Sequence, residues 1–288
     1  MNKAKITLEH VSYIYSKGTP FEIKALDDVC LDIHEGTITG IIGHTGSGKS
    51  TMVQLFNGLT KPMEGRILLD GKDIWEKPKE ISKIRYIVGM VMQYPEYQLF
   101  ADTVWDDIAY GPRNMKVSED EVRERVERSA YFCGISKETL EKSPFDLSGG
   151  QKRRVAIAGV IAMRPEMLIL DEPTAGLDPA GKKDILNLVK KLQSECSPTI
   201  VMISHNMDEI SDLADKIVLM HKGELLACMP PEELFTCEEL VIKAGLELPV
   251  SVSVANKLIQ KGISLDKIPC RKSELASILL AKGGKDVK

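Results

Sequence analysis

The octapeptide Gly43-His44-Thr45-Gly46-Ser47-Gly48-Lys49-Ser50 constrains this chain more than any other stretch. It follows residues 37–42, a short apolar run with strand character, and precedes residues 51–59, where apolar side chains recur at helical spacing and Gly58 stands near the end. A strand, a glycine loop and a helix in that order wrap main-chain N–H groups around a phosphate and aim the positive end of the helix at it. Lys49 then has the charge to neutralise β- and γ-phosphate oxygens, and Ser50 the hydroxyl to ligate Mg²⁺. The loop with Thr51 is therefore read as a cradle for ATP, in which His44 is a spacer and not a catalyst.

A second apolar run, Met167-Leu168-Ile169-Leu170, ends in Asp171 and Glu172. Such a strand carries two carboxylates to the carboxyl edge of a sheet, where phosphates bind. Asp171 can hold Mg²⁺ through water, and Glu172 stands where it can orient and polarise an attacking water, a matter of positioning more than of proton abstraction. Leu147-Ser148-Gly149-Gly150-Gln151 precedes a helix-periodic segment at 155–163, so Ser148 reads as an N-cap followed by two bare glycines whose amides stay open to an anion. One chain cannot easily wrap both glycine loops around a single γ-phosphate, so a second subunit should supply the other loop.

Around these motifs the texture is α/β. Residues 5–15 and 29–33 alternate as half-buried strands of an edge β-subdomain, 65–70 and 86–93 read as further strands, and 199–203 and 216–220 complete a mostly parallel sheet covered by helices. Asp178-Pro179 opens a helix whose buried face is Ile185, Leu188, Val189 and Leu192. A charged helical insertion spans about 95–164, with Ser118 and Glu121 as a capping pattern. Pro230-Pro231 marks a boundary between a core domain, 1–230, and an appendage, 231–288, expected to hold two amphipathic helices with Val254, Leu258 and Ile259, then Leu275, Ile278 and Leu279, as apolar faces.

The ordered set of the loop at 43–50, Gln93, Leu147 to Gln151, Asp171-Glu172, Ala175-Gly176-Leu177-Asp178 and His205 resembles the ATP-binding-cassette (ABC) ATPases over about residues 4–230. The resemblance implies a P-loop NTPase core of RecA-like type with an antiparallel β-subdomain, a helical signature subdomain and a small C-terminal helical appendage. By it, Gln93 would sense Mg²⁺ and a transmembrane partner, Asp178 would line a dimer interface, His205 would contact the γ-phosphate, and Tyr15 would stack on adenine, although Tyr13 competes for that role. Val91-Met92-Gln93-Tyr94-Pro95-Glu96-Tyr97-Gln98-Leu99-Phe100 and Ala244-Gly245-Leu246-Glu247-Leu248-Pro249 are similar to the A-subunits of energy-coupling-factor importers of vitamins and metal ions. Ser143-Pro144-Phe145 and Arg153-Arg154-Val155-Ala156-Ile157-Ala158-Gly159 point to the second of the two A-subunit types. Lys152, where a methionine is usual, departs from the pattern and leaves the phosphate loop untouched. That family pairs two ATPases with a membrane T-subunit and substrate-binding S-subunits, and the appendage would be a dimerisation region.

The rest of the composition narrows the alternatives. With 38 Lys and Arg against 42 Asp and Glu there is no global positive field to hold nucleic acid or anionic lipid. A soluble ABC ATPase of DNA repair would need a long coiled coil between Ser50 and Leu147, and no sustained heptads occur there. A P-loop kinase would not need the signature loop. Cys30, Cys133, Cys196, Cys228, Cys237 and Cys270 form no CxxC pair and read as reduced thiols in a cytosolic protein. No apolar stretch approaches the roughly 20 residues of a spanning helix, so any membrane attachment must come through a partner, and the resemblance implies a peripheral place on the cytoplasmic face.

Overall fold

The computed structural model describes residues 3–196, 198–265 and 267–283. Among them are ten strands: β1 (Ala4–Tyr15), β2 (Ile23–His34), β3 (Ile38–Ile42), β4 (Glu64–Leu69), β5 (Lys72–Asp73), β6 (Val88–Val91), β7 (Met167–Asp171), β8 (Thr199–Ile203), β9 (Lys216–His221) and β10 (Glu224–Met229). They form two sheets, an antiparallel one in the order β2-β1-β4-β5 and a six-stranded one in the order β10-β9-β3-β8-β7-β6. Within the second, β9, β3, β8, β7 and β6 run parallel and only β10 turns back.

Strands β3 and β8 are buried at every position, as apolar runs covered on both faces must be. Their side chains alternate between two cores. Ile38, Ile42, Leu168, Leu170, Ile200 and Met202 face a cluster shared with the helices, including the expected Ile185, Leu188, Val189 and Leu192 of the helix Pro179–Cys196. Ile41, Met167, Ile169, Val201 and Ile203 face a second cluster, completed by Ile6, Leu8, Leu26 and Val29 of the antiparallel sheet and by Met52, Val53, Leu55 and Phe56 of the helix Lys49–Phe56. The two-residue period of a strand thus divides one apolar run between two layers. Lys5, buried on β1, joins the two sheets by bonding Asp70 Oδ2 at 2.7 Å and Glu166, which lies just before β7.

Between β6 and β7 the described elements are helical: Val104–Asn114, Glu119–Phe132, Lys137–Leu140 and Gly149–Ile161, with short 3-10 turns. Ser118 caps the second of these by accepting from the Glu121 N–H. After β10 come the helices Pro231–Leu234, Glu238–Lys243, Val250–Gln260 and Lys272–Gly283. Leu234, Phe235, Val241 and Ala244 sink into the first core cluster.

Two expectations need correction. The strand placed at 86–93 is shorter, because a helix, Ile81–Ile87, runs up to it. In the appendage the face chosen by periodicity, Val254, Leu258 and Ile259, is not the buried one: Ser251, Val252 and Ala255 are buried and Ile259 is exposed. The reason is close approach on the small-residue side, where the Ser251 and Ser211 hydroxyls each donate to the Cys270 carbonyl at 2.6 Å.

Candidate functional site

The loop leaving β3 is held by its neighbours. A Cβ on Gly43 would lie 2.4 Å from the Met220 carbonyl oxygen of β9, and one on Gly48 would lie 2.4 Å from the Ala25 carbonyl oxygen of β2, so glycine is required at both. Gly46, with φ of 79°, meets nothing but needs the left-handed conformation. Gly48 is also the N-cap of Lys49–Phe56, and no side chain caps that helix, which leaves its first N–H groups for a ligand. Ser47 Oγ is buried and finds no partner among the described residues. An unspent hydroxyl, uncapped amides and a lysine in one turn suit a bound phosphate.

Lys49 is buried, with Nζ curled back onto the carbonyl oxygens of Gly43 at 2.7 Å and His44 at 3.0 Å. Burial pulls its ammonium below the ordinary lysine value, against the opposing charges of Glu172 and Asp171. Ser50 is exposed at the start of the helix. His44 turns Nδ1 to the Thr45 carbonyl at 2.6 Å and packs edge-on against His221, ring centroids 5.1 Å apart. Tyr15, at the end of β1, shares a 3.1 Å hydrogen bond with Thr51 Oγ1, whereas Tyr13 packs against the second core. Of the two tyrosines, Tyr15 is therefore the one that reaches the phosphate-loop helix.

Because β6, β7 and β8 are parallel neighbours, the loops after them lie side by side at the carboxyl edge, with β3 and its glycine loop next to β8. Each contributes to one cluster. Glu172 Oε1 is 2.7 Å from His205 Nε2, and its Oε2 accepts from Gln93 Nε2 at 3.2 Å. Glu172 itself has φ of +49°, a strained left-handed backbone in a non-glycine residue, and such strain gathers at functional sites. Its neighbour Asp171 has its carboxyl pushed up to about 6, first by burial and then by the charge of Glu172, with Lys49 opposing.

That shift makes a pH prediction. A carboxyl with a raised folded value holds its proton in the native state between about 4 and about 6, so the ligand-free chain loses stability as pH rises through that window. A divalent cation held by Asp171 would need the ionised form, so its binding would gain over the same window. Affinity for ATP with Mg²⁺, measured by titration, is expected to fall by up to about tenfold per pH unit below about 6.

The signature residues sit elsewhere on the surface. Ser148 N–H donates to Gln151 Oε1 at 3.0 Å and Gln151 N–H to Ser148 Oγ at 3.4 Å, a reciprocal capping box at the start of Gly149–Ile161. Gly149 and Gly150 lie on an open surface, where a Cβ would meet only Leu177 Cδ2, at 4.0 Å from the one on Gly150. Asp178 caps the following helix by accepting from the Gly181 N–H at 2.8 Å. The loop is presented outward, free to meet another molecule.

Two residues tie these loops together without having stood out by chemistry in the sequence. Arg153, buried, donates from Nη1 to the carbonyls of Pro173 at 3.0 Å and Ala175 at 2.6 Å and from Nη2 to that of Gln93 at 3.4 Å. Glu209, also buried, accepts from the Thr174 and Ser204 hydroxyls. The available signals were a charge in an apolar helical run for the first and an Asn206-x-x-Glu209 cap pattern for the second, and neither pattern alone says function.

Residues 26–175 match the family described as ABC transporter. The energy-coupling factor transporter ATP-binding protein EcfA2 of Caldanaerobacter subterraneus is 51% identical over 90% of this chain and 91% of its own length. The protein of the same description from Clostridium tetani is 48% identical over 91% of both. Among solved structures, cbiO1 of Clostridium perfringens, described as part of the ABC transporter complex cbiONQ, superposes with a TM-score of 0.76 at 39% identity, covering 90% of this chain and 100% of that one. The cassette MJ0796, captured as a dimer in a post-hydrolysis state with ADP and Pi, gives 0.70 at 31% identity over 78% of this chain and 98% of its own. With the phosphate loop, the carboxylate strand and the signature loop in place, the chain belongs to the ABC transporter ATPases, among the energy-coupling factor ATP-binding subunits of the EcfA2 type.

Proposed function

We propose that this ATPase hydrolyses ATP to ADP and phosphate as one half of a dimer, paired with a second A-type ATPase, and that the pair drives uptake of vitamins or transition-metal ions through a membrane T-subunit and substrate-binding S-subunits. The observation that carries the reading is the convergence of Gln93, Glu172 and His205 beside the glycine loop. Lys49 neutralises the β- and γ-phosphates held by the amides of residues 43–51, and Tyr15 takes the adenine. Mg²⁺ would be held by Ser50, Gln93 and Asp171, and when bound supplies charge neutralisation at the phosphates. Glu172 orients the attacking water opposite the leaving group, and His205 contacts the γ-phosphate. Ser148, Gly149, Gly150 and Gln151 close on the ATP of the partner, with Asp178 at the interface.

Coupling to the membrane is assigned to the loop after Gln93. Tyr94, Tyr97 and Phe100 are 51%, 84% and 59% exposed, an aromatic surface suited to a helix in a groove. Among the described residues no helix is long and apolar enough to cross a membrane, which suits peripheral attachment at the cytoplasmic face. The appendage leaves Ile242, Ile259 and Leu280 exposed, which supports its assignment as a dimerisation region. The test is to tag the chain in its native cell, solubilise membranes gently and identify what co-purifies. A second cassette ATPase with a polytopic T-subunit and small S-subunits is the expected result, and the S-subunits would name the substrates. Recovery without any membrane partner would overturn the transporter assignment.

A further inference from the structure

The strands that carry Glu172 and His205 stay paired up to Asp171 and Ile203, and the bond from Glu172 N–H to the Ile203 carbonyl, 3.0 Å, continues the contact by one residue. Beyond it the two chains diverge into separate loops. Glu209, in the first turn of the helix Met207–Leu213, bridges them: its Oε2 accepts from Thr174 Oγ1 at 2.7 Å and from Ser204 Oγ at 3.1 Å. Thr174 stands two residues after Glu172, and Ser204 immediately before His205. All three bridging side chains are buried, at 5%, 4% and 3% exposure for Glu209, Thr174 and Ser204, so water cannot readily substitute for the contact.

The Ser204 hydroxyl is fixed on both sides. Its proton goes to Glu209, while its oxygen accepts from the Asn206 N–H at 3.0 Å, and Asn206 Oδ1 in turn accepts from the N–H groups of Asp208 at 3.0 Å and Glu209 at 3.3 Å. The turn bearing His205 is thereby a closed ring of hydrogen bonds with the Glu209 carboxylate as the link to the Glu172 loop. We infer that Glu209 is a positioning residue for hydrolysis: it acts as an extra rung between β7 and β8 and sets the separation of Glu172 and His205. The inference rests on the reading of Glu172 as the group that orients the attacking water.

The experiment compares the purified ATPase assembly carrying Glu209→Ala, Glu209→Gln, Thr174→Val, Glu172→Gln and the double change Glu172→Gln with Glu209→Ala. Misplacement of a reacting group by about 1 Å can cost about 10²-fold. Glu209→Ala is therefore expected to lower kcat by about 10- to 100-fold with KM for ATP within about threefold of the parent. Glu209→Gln, whose amide oxygen can still accept from both hydroxyls, should restore kcat to within about threefold. In the Glu172→Gln background, Glu209→Ala should cost less than about twofold more, because the group it positions is already disabled.

A parent-like kcat in Glu209→Ala, or its full loss repeated on top of Glu172→Gln, would overturn the inference while leaving Glu172 in place. Parent-like turnover in Glu172→Gln would instead remove the underlying reading, and the inference with it. If Glu209→Ala does not fold, Thr174→Val decides. It deletes one leg of the bridge and keeps the volume, so a kcat loss of about fivefold at unchanged KM, measured at a temperature where the variant is fully folded, supports the inference, and parent-like kcat overturns it.

Discussion

Replacing Glu172 by glutamine is expected to leave ATP bound and to slow its hydrolysis by about 10²-fold or more. The shape of the side chain is kept, so the contacts that hold it, 2.7 Å to His205 and 3.2 Å from Gln93, lose charge but not reach. In the role proposed for Glu172, what disappears is a carboxylate that draws on a proton of the attacking water while fixing its oxygen in line with the leaving group. Because Glu172 is also one of the charges that push Asp171 up to about 6, the same substitution should move the acid limb of Mg²⁺-dependent binding to lower pH. Phosphate release and equilibrium nucleotide binding, measured on the same preparation, separate the two effects. Hydrolysis at the parental rate would take Glu172 out of the mechanism.

Lys49→Met is expected to act on binding itself. The ammonium is already desolvated, since burial lowers its proton affinity, and two carbonyl oxygens at 2.7 and 3.0 Å hold it in the loop. Most of the cost of ordering that cation is therefore met before a nucleotide arrives. A hydrogen bond to a charged group contributes about 1.5–3 kcal/mol, so its loss should weaken ATP by about 10- to 100-fold. Removing the cation also leaves Asp171 and Glu172 without their counter-charge, and the Asp171 carboxyl should climb further above about 6. Calorimetric titration of ATP with Mg²⁺ checks the first effect, and repeating it across pH checks the second. Unchanged affinity would mean that the amides of the loop carry the phosphates alone.

The fold was legible where one physical rule governed a whole element. The run Met167-Leu168-Ile169-Leu170 can only be a strand covered on both faces, and it is one. Ser118 and Asp178 announce helix starts because a short polar side chain satisfies an amide that the helix cannot. Legibility failed where two rules competed. The strand read at 86–93 begins two residues too early, because Tyr86 and Ile87 close the helix Ile81–Ile87 ahead of β6. In the helix Val250–Gln260 the expected face is turned away from the core, with Ile259 exposed, because Ser251 and Ala255 allow a closer fit on the other side. For the site, the motifs bring forward Gln93, Glu172 and His205, which the structure places in contact, while no motif singles out Glu209. The role inferred for Glu209 depends on which two loops it spans, and that depends on strand order, which no local pattern encodes.

The helix Met207–Leu213 is gripped from its other side as well. Asp208 accepts from the Val250 N–H at 2.9 Å and pairs with Lys272 at 2.9 Å, while Arg271 donates to the Ser211 carbonyl at 3.2 Å. Asp208 and Glu209 are adjacent, one fastened to the appendage and the other to the loops of Glu172 and His205. These seven residues thus work like a shared axle: displacing the C-terminal helices must either turn it or break the ion pair and the hydrogen bonds that key them to it.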